Sequence, residues 1–238
     1  MKREREMSEI KVLSVGGSII SPSNPDVPFI KNFIQTLLEY LHERKERKLI
    51  LVTGGGAPAR IYQQAYREAI APEEGDHGAQ DWIGIAATRL NAQLLKAVLG
   101  DIAPDEVVSD PTADFSFTGR VLIAAGWKPG FSTDNDAVVL AERFGADTVV
   151  NLSNIAKIYS ADPKLDPSAK PLDSITWSDF RRMVGDDWTP GKNLPFDPVA
   201  AKRGEAIGLN VITAEGRNIE NIRRILRDQE FEGSLIHP

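Results

Sequence analysis

Short apolar runs that stop at glycine, each followed by a segment with helical spacing, govern what this chain can fold into. Ile10 to Val15 ends at Gly16-Gly17, Leu49 to Val52 runs into Thr53-Gly54-Gly55-Gly56, and Val121 to Ala125 ends at Gly126. Such runs, bounded by turn residues, read as buried strands. After Asn24-Pro25-Asp26, which offers a helix start, Ile30, Phe33, Ile34, Leu37, Leu38 and Leu41 recur at helical spacing. Pro58 suits the first turn of the next helix, where its missing N–H costs nothing. Beyond the polar break Pro72 to Gly78, Ile83, Ala86, Leu90, Leu94 and Val98 share one face of a further helix. A helix from about Asp134 to Phe144 leads to a strand at Thr148 to Leu152. A loop-rich stretch to Leu194 follows, holding only a short helix near Trp177 to Met183. The chain closes with helix Pro198 to Ile207, strand Asn210 to Thr213, helix Ile219 to Leu226 and strand Ser234 to Ile236.

Strands alternating with helices predict an α/β fold, a three-layer sandwich with a central, mostly parallel sheet covered on both faces. No internal repeat or interdomain linker interrupts residues 10–238, which read as a single domain behind a charged lead-in, residues 1–9, expected to be disordered. Ligands of such sheets bind at the carboxyl ends of the strands, where this chain places its glycine-rich turns.

Composition narrows the chemistry. The absence of cysteine excludes disulfides and thiolate chemistry, and three scattered histidines, His42, His77 and His237, disfavour a His-ligated metal site. A net charge of −6 argues against bulk nucleic-acid or anionic-membrane binding. No apolar run approaches a membrane span and the first residues lack a signal-peptide core, so a cytoplasmic location is expected.

Gly16-Gly17-Ser18 reads equally as a tight turn or as an anion-binding nest. Gly54-Gly55-Gly56 leads into a helix N-terminus with Arg60 in its first turn, a favourable seat for phosphate. Neither is a Walker loop or a dinucleotide fingerprint. Gly130-Phe131-Ser132-Thr133-Asp134-Asn135-Asp136 precedes an apolar helix. Thr133 with Asp136 fits a variant capping box, and one hydroxyl can cap while another faces ligand. Asp81 reads by itself as a first-turn acid complementing a helix dipole.

In this order the motifs resemble the amino-acid kinase superfamily of the carbamate-kinase-like fold, and within it the archaeal-type uridylate kinases. The resemblance rests on Val15-Gly16-Gly17-Ser18, Gly54-Gly55-Gly56 with Arg60, Asp81-Trp82-Ile83-Gly84 with Thr88-Arg89-Leu90-Asn91, and Lys128-Pro129-Gly130 through Asp134. It continues through Ser153-Asn154, Tyr159 to Asp162-Pro163, and Phe196-Asp197-Pro198 with Lys202. It implies ATP-dependent phosphorylation of UMP to UDP in pyrimidine nucleotide synthesis, with Mg²⁺ and a homohexamer built on dimers. An acceptor-binding part of about 10–147 would precede an ATP-binding part of about 148–238.

The same resemblance assigns Gly16, Gly17 and Ser18 to the transferring phosphate, and Gly56 with Arg60 to the ATP side. It assigns Gly55 and Asp81 to UMP. Trp127, Lys128, Pro129, Gly130, Phe131, Ser132 and Thr133 would wrap the uracil and the acceptor phosphate, and Asp134 would organise the transfer. Ser153, Asn154, Tyr159 and Asp162 would line the nucleotide end of ATP.

Two positions depart from the superfamily pattern. Ser14 stands where many members carry a charge-neutralising lysine, which the archaeal branch also lacks, and Ala156-Lys157 replaces the usual Asp-Gly. Lys128, Lys157 and Lys202 are the candidates for the missing cation. A kinase of another small phosphate or carboxylate acceptor is the rival enzyme, although Ala57-Pro58-Ala59-Arg60 lacks the histidine of the isopentenyl-phosphate branch. A catalytically silent nucleotide sensor or storage protein is the rival of a different class.

Overall fold

The computed structural model describes residues 9–70, 75–163, 165–185 and 194–238. The charged lead-in apart from Glu9, and most of the Asp186 to Pro195 stretch, which reads from sequence as a flap or surface loop, lie outside them.

Three of the apolar runs form β1 (Ile10–Val15), β2 (Lys48–Thr53) and β3 (Val121–Ala124), and all three are buried over nearly their whole length. With β4 (Thr148–Ser153), β7 (Ser174–Thr176), β8 (Asn210–Glu215) and β9 (Ser234–His237) they build a seven-stranded sheet of order β3-β2-β1-β4-β8-β9-β7. The first five strands of that order pair in parallel. β9 pairs antiparallel to β8, and β7 follows β9. A separate two-stranded ribbon, β5 (Ile158–Tyr159) with β6 (Pro171–Leu172), stands outside the sheet. β5, β6 and β7 fall in the stretch expected to be loop-rich, because two- or three-residue strands carry no measurable periodicity.

Alternate strand residues face opposite layers. Leu13, Val15, Leu49, Leu51, Ile123 and Leu152 pack with α2 (Val27–Glu43), α4 (His77–Leu99) and α8 (Ile219–Leu226). Val12, Ile50, Val52, Leu122 and Val149 pack with α5 (Thr133–Phe144), α6 (Trp177–Val184) and α7 (Pro198–Ala206). At about 1.5–3 kcal/mol for each large apolar side chain withdrawn from water, these two layers dominate the stability of the fold. The helices start at local caps: Asp26 accepts from Phe29 N and Asp197 from Ala200 N, with Pro198 opening α7.

The structure corrects the sequence reading at four points. The face of α4 chosen by spacing is not the one against the sheet: Ile85, Thr88, Ala92, Leu95 and Leu99 are buried, while Leu90 and Val98 are 63% and 47% exposed. The cap of α5 is Ser132, whose hydroxyl accepts from Asn135 N at 3.2 Å, so Thr133 is the first helical residue and the Thr133–Asp136 box does not form. Asp81 is the fifth residue of α4, past the first turn. Finally, Gly16-Gly17 leads into a short helix, α1 (Gly17–Ile20).

Candidate active site

β1 is the point where the order of the sheet reverses, running to β2 and β3 on one side and to β4 and β8 on the other. Crevices at the carboxyl ends of strands at such a reversal are the ligand sites of open α/β sheets. Gly16 follows β1 and donates its N–H to Leu152 O of β4 at 2.8 Å; Gly54 follows β2 and donates to Val15 O at 2.9 Å. The two glycine loops are thus joined by the strands that carry them.

They also touch directly. A Cβ on Gly17 would stand 2.5 Å from the Gly54 carbonyl carbon and 2.6 Å from that of Gly55, and closer still to the Gly56 nitrogen. Gly56 has φ +67°, favouring glycine, as the chain enters α3 (Gly56–Ala69). Glycine at 17, 54 and 56 is therefore required by backbone packed on backbone, whatever else the loops hold. The Asn91 carboxamide fastens the second loop from α4, donating to Gly54 O at 2.8 Å and Gly55 O at 3.2 Å. On the β4 side, Asn154 Nδ2 donates to Ser18 Oγ at 2.9 Å, so two of the expected nucleotide residues meet.

Beneath the loops, Ser14 Oγ donates to Asp134 Oδ1 at 2.9 Å. Burial pushes the Asp134 carboxyl up to about 6, with the charge of Asp197 adding to the rise and the Ser14 hydroxyl and Asp197 N–H drawing it back. The residue keeps a little surface, while its carboxyl is enclosed by these neighbours.

The third part of the site is the turn after β3. Phe131 N donates to Lys128 O, with Pro129 next and Gly130 at φ +82°, the pattern of a type II turn. Gly130 N donates to Asp81 Oδ2 at 3.1 Å, Trp127 O accepts from Arg89, and Gly126 N donates to Thr88 Oγ1. Lys128 Nζ lies 3.8 Å above the centroid of the Trp127 ring, and the Trp127 and Phe131 rings pack tilted at 45° with centroids 4.9 Å apart.

The expected residues do not all converge. Arg60 is exposed and donates to Pro22 O at 3.2 Å, bracing the segment after α1. Tyr159 belongs to the β5–β6 ribbon, and Asp162 O accepts from Leu165 and Asp166 N–H groups in the following turn. Ser153 O holds Gly216 N. Of the three lysines, Lys157 is salt-bridged to Asp173, Lys128 lies on the aromatic pair, and Lys202 is exposed on α7. Asp136, Asn91 and the Ser14 hydroxyl were not read as site residues. A carboxylate at 136 amid Ala137, Val138 and Leu140, on the face of an apolar helix, was the available signal for the first.

The arrangement is an oxygen- and amide-rich crevice with Asp134 at its base and a hydrogen-bonded turn on one wall. Residues 9–212 match the model of the amino acid kinase family. The chain is 37% identical over 228 residues to a uridylate kinase of Methanospirillum hungatei, covering 94% of this chain and 93% of that one. A uridylate kinase of Hyperthermus butylicus is 35% identical over 94% of this chain and 96% of its own. Among solved structures, the uridylate kinase of Archaeoglobus fulgidus superposes with a TM-score of 0.78 at 32% identity, covering 95% of this chain and 99% of that one.

Proposed function

The chain belongs to the amino acid kinase family, and from that premise we propose that it transfers a phosphoryl group from ATP to UMP, giving UDP for pyrimidine nucleotide synthesis. The observation that carries the reading is the direct packing of Gly17 on Gly54–Gly56 at the reversal point of the sheet. It brings the start of α1 and the start of α3 side by side, where helical N–H groups lack intrahelical acceptors and favour phosphate oxygens.

Phosphoryl transfer needs two repelling phosphates held in line and the developing charge stabilised. In this reading Gly16, Gly17, Ser18 and Gly56 hold the transferring phosphate, with Arg60 swinging from Pro22 to the ATP side. Asn154 and Ser153 continue the ATP seat along β4, and Tyr159 and Asp162 flank it. Gly55, Asp81 and the turn from Trp127 to Thr133 seat UMP. The Asp81 carboxylate, already accepting from Gly130 N, is shared between the turn and the ribose. Asp134 orders the crevice between the phosphates. The acceptor is an anionic phosphate at neutral pH, so no strong base is needed. Mg²⁺ would be held by the hard oxygens of the Asp134 carboxylate together with phosphate, and would supply charge neutralisation. Lys128 and Lys202 remain the cations able to swing toward the transfer, since neither is salt-bridged among the described residues, whereas Lys157 is held by Asp173.

The proposed homohexamer is supported by the outward face of α3 and α4. Ile61, Tyr62, Trp82, Leu90 and Val98 there are between 47% and 68% exposed, an apolar patch suited to a second copy. Light scattering tests it: a monomer would remove this part of the reading.

The function is tested by ADP release with ATP and Mg²⁺ across UMP, CMP, dUMP, AMP and isopentenyl phosphate. Preference for UMP is expected. Turnover with none of them, despite nucleotide binding, would instead favour a silent nucleotide-binding protein.

A further inference from the structure

Asp136 has no exposure at all, and phosphoryl transfer as described makes no use of it. It lies in the first turn of α5, two residues from Asp134, on a helix packed against the second core layer. Its Oδ2 accepts the backbone N–H of Trp127 at 3.1 Å, and the side chain of the neighbouring Asn135 also steadies the carboxyl. Burying a carboxyl among apolar side chains is costly, and a valine would avoid that cost.

What the carboxylate does is join two parts of the site. The turn after β3 is tied to α4 by Thr88, Arg89 and Asp81. It runs through the cap Ser132 into α5, the helix that carries Asp134, and the Asp136–Trp127 hydrogen bond fastens the far end of the turn back onto that helix. The charged groups nearest this junction are Asp134 on the same helix, Asp110 from the loop before β3 and Arg89 from α4.

We propose that Asp136 is a positioning residue that keeps the Trp127–Phe131 turn in register with Asp134, so that an acceptor seated on the turn presents its phosphate in line. This rests on the reading of that turn as the UMP seat.

The test uses the full chain with Asp136→Val, which removes the acceptor, and Asp136→Asn, which keeps a carbonyl for Trp127 N–H. Asp136→Val is expected to raise KM for UMP about tenfold, with KM for ATP within about twofold and Tm unchanged or higher. Asp136→Asn is expected to return KM for UMP to within about threefold of wild type. Unchanged UMP affinity in the valine variant would overturn the proposal. So would an equal rise in both KM values with a fallen Tm, or an asparagine variant as impaired as the valine one. Hydrogen exchange at the Trp127 amide checks the tie without substrate: protection should fall in Asp136→Val and persist in Asp136→Asn. Failure of the wild-type chain to use UMP would count against the proposed function, and the exchange result would then decide the role of Asp136 separately.

Discussion

The hydroxyl of Ser14 on β1 donates to the carboxylate of Asp134 on α5 across 2.9 Å, joining strand and helix at the base of the crevice. An amine at this place would neutralise Asp134, whereas a hydroxyl only steadies it. Burial pushes the Asp134 carboxyl up to about 6, and the Ser14 hydroxyl draws it back only in part.

If the ionised form of Asp134 supports transfer, kcat/KM, which reports the free enzyme, should fall as pH drops through about 6. Ser14→Ala removes a hydrogen bond to the charged form, so the acid limb should move to higher pH. Asp197→Asn keeps a capping oxygen for α7 and removes a repelling charge, so the limb should move lower. A pH–rate series on the three proteins checks both directions, and coincident limbs would exclude Asp134 as their source.

Stability should follow the opposite pH trend from that of salt-bridged carboxylates. Burial raises Asp136 to about 7, and Asp134 to about 6, against an ordinary 3.8. Between those values the folded chain binds more protons than the unfolded one, so their contribution is greatest below about 4 and declines up to about 7. For Asp136 the loss is on the order of 4 kcal/mol. Urea unfolding of wild type and Asp136→Asn from pH 5 to 8 should show an advantage for the variant that grows with pH.

Gly17→Ala should be among the most damaging single substitutions, because its Cβ would meet only backbone. We expect a loss of about 3 kcal/mol or more, with activity abolished. At Gly130 a Cβ would meet nothing within 4 Å, so Gly130→Ala carries only the strain of φ +82°, about 1 kcal/mol. Paired thermal and urea denaturation checks the ranking.

Arg60→Ala should leave stability within about 0.5 kcal/mol of wild type, since Arg60 is exposed and its bond to Pro22 O is peripheral. Transfer should fall about tenfold or more if the guanidinium meets phosphate. Arg60→Lys should restore only part of it, having lost the planar fork. A full rate in Arg60→Ala would confine Arg60 to bracing the loop.

The longer strands were readable because each is a buried apolar run closed by turn residues, and α2 because Phe33, Leu37 and Leu41 share a face that also carries Ile30 and Ile34. The α4 face was misread since Leu90 and Val98 are as apolar as Leu95 and Leu99, and periodicity alone does not say which stripe meets the sheet. The cap of α5 slipped by one residue because Ser132 and Thr133 are both good caps. β5 to β7 were too short to leave a pattern.

By itself the sequence determined the α/β class, the glycine-rich strand ends and the lack of cysteine chemistry, since these follow from local pattern and composition. Only the tertiary structure decided that Gly17 exists to meet Gly54–Gly56, that Ser14 faces Asp134, and that Asp136 reaches Trp127. Each of these pairs is distant in the chain or separated by a turn. The contact between its members is created by parallel strand order and helix packing, and no local propensity encodes it.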